Sequence, residues 1–164
     1  MKRHPSLHAL SEEHHNGLIA ARDLRLAAEG KRPLEETVRE FESAWSGEIL
    51  PHFRSEEQEL LPALACALPA DDPLIVRTLT EHVALRRDVA ALITSEPQAQ
   101  PELAARVGAA LEAHIRFEER VLFPALETAL AGAALEALGE KFPRGGQSCA
   151  TGYNAAEQWP EPGR

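Results

Sequence analysis

Thirteen residues, His52-Phe53-Arg54-Ser55-Glu56-Glu57-Gln58-Glu59-Leu60-Leu61-Pro62-Ala63-Leu64, return sixty-two positions later as His114-Ile115-Arg116-Phe117-Glu118-Glu119-Arg120-Val121-Leu122-Phe123-Pro124-Ala125-Leu126. Eight of the thirteen are identical: the His, the Arg, both acids, a Leu, the Pro and the closing Ala-Leu. A repeat of this kind constrains the architecture more than any other feature of a chain. Each copy carries His-x-x-x-Glu. Residues four apart on an α-helix lie one above the other, so each copy aims an imidazole and a carboxylate at one point. Two such helices facing each other would bring two nitrogens and two carboxylates to a shared centre.

The rest of the chain is consistent with helices throughout. Ala, Leu and Glu dominate, while aromatic and β-branched residues are few, which favours helix over strand. The 164 residues suit one domain with a sizeable core. A net charge of -9 excludes nucleic acid as the main partner, because no basic patch could neutralise phosphates. No apolar run is long enough to span a membrane. The two basic residues at the start, Lys2 and Arg3, are not followed by the apolar stretch of an export signal. Cys66 and Cys149 are too few and too far apart for a disulfide framework. These observations lead us to expect a cytoplasmic protein with two incidental thiols.

Periodicity predicts four long helices. The first spans about 6–29, with Leu7, Leu10, Leu18, Ala21, Leu24 and Ala28 on one face and His14 in that stripe. His15 is turned about 100° away, on the flank with His8 and Ile19. The second runs over about 34–67 with Trp45, Ile49, His52, Glu56, Leu60 and Ala63 inward; Pro51 and Pro62 predict a bend or break within it. Asp72 is placed to cap a third helix, about 73–95, whose stripe is Ile75, Leu79, Leu85 or Arg86, Val89 and Ile93, centred on His82. The fourth covers about 102–131 with Val107, Leu111, His114, Glu118, Leu122 and Ala125 inward, and 133–142 allows a short extra helix. Short connections dictate an up-down-up-down four-helix bundle. The expected domain is therefore 1–142, all-α, followed by an extended or flexible tail over 143–164, from which Tyr153 and Trp159 could fold back.

Glu81-His82 echoes Glu13-His14, so the odd helices also look related. The inward set is His14, His52, Glu56, His82, His114 and Glu118. Burying two carboxylates in a Leu/Ala core demands compensating charge. A pair of divalent metals meets that demand: imidazoles ligate each ion and carboxylates bridge them. The donors suit iron, manganese or zinc and leave positions for water, oxide or a diatomic molecule. His15 is the alternative to His14, and Glu57 and Glu119 are alternative carboxylates or groups that orient the ligands. His8, Glu12 and His15 could form a weak outer cation site, and Arg54 and Arg116 are expected to pair with surface acids.

These motifs, over about residues 6–131, resemble the hemerythrin-like proteins, the HHE cation-binding domain. The resemblance implies an up-down four-helix bundle around a non-haem di-iron centre. His14, His52, His82 and His114 would be the nitrogen ligands, and Glu56 and Glu118 the carboxylates. Two departures from the oxygen carriers stand out, and the first puts reversible oxygen carriage in doubt. Oxygen-carrying members have a fifth histidine where this chain has Thr78. They also place the last carboxylate where Glu119 stands.

The expected function is that of a metal-binding protein, with two ions and iron foremost, that binds or senses oxygen, reactive oxygen or nitrogen species, or iron. Its partner would be a small diatomic or peroxide ligand. A di-iron oxidoreductase acting on peroxide, nitric oxide or Fe(II) is the second reading. A metal-stabilised interaction bundle without redox role is the third.

Overall fold

The computed structural model describes residues 3–130 and 132–142. The expectations for 143–164, including Cys149, Tyr153 and Trp159, lie outside these residues. A single 3-10 turn (Pro5–Leu7) leads into α1 (His8–Ala28). The second helix, α2, continues over 34–65 and α3 is Pro73–Thr94. The fourth, α4, continues over 100–129, and a short α5 (Ala133–Gly139) follows. Gly30 and Gly132 take positive φ at the breaks after α1 and α4, a conformation that suits glycine. Asp72 caps α3 as expected, its side chain accepting from the Leu74 N–H at 2.9 Å.

Two apolar clusters fix the direction of each helix. At one end Leu7 and Leu10 from the start of the chain meet Leu60, Leu61 and Leu64 from the end of α2. Ile75 from the start of α3 and Leu122, Phe123 and Leu126 from the end of α4 join them, and Leu135 and Leu138 of α5 close that cluster. At the other end Ala21 and Leu24 pack with Val38, Phe41 and Trp45, with Leu85, Val89 and Leu92, and with Val107 and Leu111. Starts therefore meet ends at each pole, which is the antiparallel order expected. Gly108 allows α1 and α4 to approach closely: a Cβ there would sit 2.6 Å from the Ala21 carbonyl oxygen.

The expected bend or break at Pro51 and Pro62 takes the form of a local interruption of the α-helical pattern rather than a chain break. Proline lacks an N–H and its ring crowds the carbonyl four residues back. The chain answers with a wide π turn immediately before each proline: Leu50 N–H donates to Trp45 O, and Leu61 N–H to Glu56 O. The same device precedes Pro124, where Phe123 N–H donates to Glu118 O. A π turn inserts one extra residue and rotates everything beyond it. Hence Leu64 and Leu126 are buried where the uniform pattern placed Ala63 and Ala125. On α3 the buried face runs through Thr78, not Leu79, which is 41% exposed.

Candidate metal centre

The layer between the two apolar clusters is polar. His14, His52, Glu56, His82, His114 and Glu118 are all buried there, one from each odd helix and two from each even one. Their donor atoms form two groups, each within 4.8 Å: His14, His52, Glu56 and Glu118, then Glu56, His82, His114 and Glu118. His15 is exposed and outside both; of the two adjacent histidines, His14 joins the cluster. His8 and His15 lie with Glu12 in an open surface depression that does not form such a group among the described residues. Arg116 pairs with Glu112, as surface pairing requires.

Within the layer the imidazoles pair. His14 Nε2 lies 3.0 Å from His52 Nε2, and His82 Nε2 lies 3.1 Å from His114 Nε2. Each carboxylate spans both pairs. Glu118 sets one oxygen 3.1 Å from His14 Nε2 and the other 3.1 Å from His114 Nε2. Glu56 does the same with His52 and His82, at 3.3 Å each. Despite this proximity none of the four oxygens has a hydrogen-bond partner. Buried carboxylate oxygens left in that state call for a cation. Nitrogens about 3 Å apart also fit two ligands at ~2.0–2.1 Å from one ion.

Residues 6–126 match the hemerythrin HHE cation-binding domain. The chain belongs to that family. No curated protein and no solved structure matches it. In this hemerythrin-like chain the position of the carriers' fifth histidine, Thr78, is buried and its hydroxyl donates to the Leu74 carbonyl at 2.9 Å. That hydroxyl is engaged by its own helix, and the two groups remain alike, each with two nitrogens and two shared carboxylates.

The outer nitrogens make a second ring. His14 Nδ1 meets Glu119 at 2.7 Å, His52 Nδ1 meets Glu13 at 2.7 Å, His82 Nδ1 meets Glu57 at 2.8 Å and His114 Nδ1 meets Glu81 at 2.8 Å. Each helix thus hands one glutamate to the next, α1 to α2, α2 to α3, α3 to α4 and α4 back to α1. An ionised carboxylate only accepts, so each Nδ1 donates and each Nε2 faces the centre. Glu57 and Glu119 therefore hold the His82 and His14 imidazoles from outside the centre. Glu13 and Glu81 share that role unforeseen; the repeated Glu-His dipeptide was the available signal.

The ring also sets the charge. Burial opposes protonation of His82, but the neighbouring carboxylates of Glu118, Glu56 and Glu57 outweigh it and push its pKa up to about 10. Burial likewise opposes charge on His14, His52 and His114, and their glutamate partners raise all three. Burial works against ionisation of Glu57 and Glu119, yet histidine and arginine hold both down to about 2. A raised histidine pKa stabilises the metal-free fold fully below the ordinary 6.5, and that gain is lost as pH climbs through the raised value. A lowered carboxylate pKa stabilises it above the ordinary 4.5, with loss as pH falls towards 2. Metal-free protein is therefore expected to melt highest between about pH 4.5 and 6.5 and progressively lower towards pH 10. Thermal melts across that range check this, and a melting point that climbs steadily from pH 6.5 to 10 would contradict it.

Proposed function

We propose that this protein holds two metal ions, iron in the native state, and uses them to bind or sense a small oxygen-derived ligand. His14 and His52 would hold one ion, His82 and His114 the other, and Glu56 and Glu118 would bridge. The observation that carries this reading is that each buried carboxylate reaches both histidine pairs with its two oxygens. When bound, such a pair supplies electron exchange and Lewis acidity to a small ligand. The chain's own residues supply the rest. Glu13, Glu57, Glu81 and Glu119 fix the imidazoles, and the apolar clusters above and below exclude bulk water.

A narrow pocket supports a small ligand. It is lined by Gly17, Ile49, Phe53, Leu111 and Ile115, together with Glu13, Glu48, His14 and His52. Its mostly apolar wall suits a diatomic molecule or peroxide better than a larger substrate. Among the described residues no helix is long and apolar enough to cross a membrane.

Elemental analysis and optical spectra with and without oxygen or peroxide test the reading. About two iron per chain, with charge-transfer bands that respond to the oxidant, is the expected result. Zinc alone, or no spectral response, would reduce the function to that of a cation-binding bundle. The pocket gives a second test. A Cβ on residue 17 would sit 2.8 Å from Ile115 Cδ1, a flexible tip that can give way. Gly17→Ala is expected to slow the stopped-flow reaction of the reduced iron form several-fold while iron content stays at the wild-type level. An unchanged rate would show that the ligand reaches the metals by another path.

A further inference from the structure

The four outer glutamates are not equally secured. Glu119 is held by Arg3 at 2.8 Å, and the Arg3 guanidinium covers the Phe123 ring at 5.0 Å. Glu57 is held by Arg86 at 2.8 Å, with Arg86 5.8 Å over Phe53. Glu81 is held by Arg77 at 2.7 Å, with Arg77 3.8 Å over Phe117. Each of these three carboxylates thus sits under an arginine that is itself seated on a phenylalanine. Glu13 breaks the pattern. Among the described residues its one ionic partner is His52, and its side chain is 43% exposed against 25–29% for the other three.

The repeat explains the exception. Glu13 corresponds to Glu81, and four residues earlier the second half has Arg77 where the first has Ala9. Likewise Phe117 in the second copy corresponds to Ser55 in the first. Both parts of the clamp are therefore replaced in the sequence itself. Phe53 stacks flat on His82 with centroids 3.8 Å apart and meets His114 edge-on at 5.1 Å, whereas it is tilted and 6.3 Å from His52; His14 stacks on Phe123 at 5.3 Å. His52 is also the most exposed of the four imidazoles, at 6%, and lines the narrow pocket with Glu13.

From this asymmetry we infer that the two metal positions differ in lability: the ion at His14 and His52 exchanges first, and Glu13 is the positioning residue that sets its rate. The argument rests on the two-metal reading given above. An imidazole whose outer nitrogen is held by an unclamped, half-exposed carboxylate reorients more readily, and reorientation of Nε2 is the first motion of ligand loss.

Zinc is the probe. Protein loaded to two zinc per chain is mixed with excess chromophoric chelator, and release is followed in time. Two phases of equal amplitude are expected. Glu13→Ala accelerates the fast phase about tenfold or more and leaves the slow phase within about twofold, in keeping with the usual cost of losing such a partner. Glu13→Gln, which keeps an acceptor for Nδ1–H, recovers most of the wild-type rate. Glu57→Ala instead accelerates the slow phase. Ala9→Arg, supplying the residue found in the other half, slows the fast phase. Release of both ions in one phase, or a Glu13→Ala effect equal on both phases, overturns the inference while leaving two-metal binding intact. Wild-type protein that takes up one zinc or none overturns the two-metal reading itself.

Discussion

On the two-metal proposal, replacing Glu118 with alanine is expected to take the protein from two bound metals to fewer than one after dialysis, as the same change at Glu56 would. Glu118 belongs to both donor groups and is fully buried, with one oxygen on each histidine pair. Its removal would take a ligand from each of the two proposed ions and leave two pairs of imidazoles facing each other with one carboxylate between them. Glu119→Ala acts on one corner only. That residue holds His14 Nδ1 and touches neither group's centre, so its loss is expected to weaken one position by about ten- to a hundredfold and spare the other. Elemental analysis of both variants decides between them, with far-ultraviolet circular dichroism to verify that each remains helical. Glu118→Gln, which keeps the volume but not the charge, should also lose both ions. Equal losses from the Glu118 and Glu119 variants would remove Glu118 from the bridging role.

What was legible beforehand follows from the range of each interaction. His-x-x-x-Glu is a local pattern, and four-residue spacing on a helix needs no knowledge of neighbours to place both side chains on one face. For that reason His52 with Glu56 and His114 with Glu118 stood out, and the position of His14 and His82 within apolar stripes added the other two nitrogens. The caps and turns at Gly30, Asp72 and Gly132 are equally local. The π turns were not legible, because a uniform 3.6-residue period contains no extra residue. Pro51, Pro62 and Pro124 marked the places, yet a missing N–H can be absorbed by a kink, a break or a widened turn, and only packing selects among these. The consequence is the same in both copies: Leu64 and Leu126 are fully buried, while Ala63 and Ala125 are only half-buried. Leu79 was placed inward because leucine is apolar. In the fold the smaller Thr78 occupies that face, its hydroxyl bonded to its own helix. The outer ring of Glu13, Glu57, Glu81 and Glu119 depends on contacts between helices, so sequence adjacency to a ligand was the only available trace of it.

Phe53→Ala is expected to cause the largest loss of stability among core substitutions near the centre. The side chain is 1% exposed and large, and such truncations cost about 3–5 kcal/mol. Its ring lies within 7° of parallel to His82, meets Trp45 edge-on with centroids 5.6 Å apart, and has the Arg86 guanidinium 5.8 Å from its centroid. Alanine would therefore open a cavity directly beside an imidazole that needs a fixed orientation, and would unseat the arginine that holds Glu57. Urea unfolding of the metal-free protein measures the first effect, separately from any metal. Phe53→Leu isolates the second: leucine restores much of the apolar volume and so should recover most of the stability, but it offers no flat face to His82. Zinc should then leave the His82 and His114 position faster in Phe53→Leu than in the wild type, although both fold. A loss below about 1 kcal/mol for Phe53→Ala would mean that the surrounding helices collapse into the space, since the cost of a truncation depends on how far the site can relax. Wild-type zinc retention in Phe53→Leu would mean that Glu57 and Glu81 alone hold the two imidazoles in place.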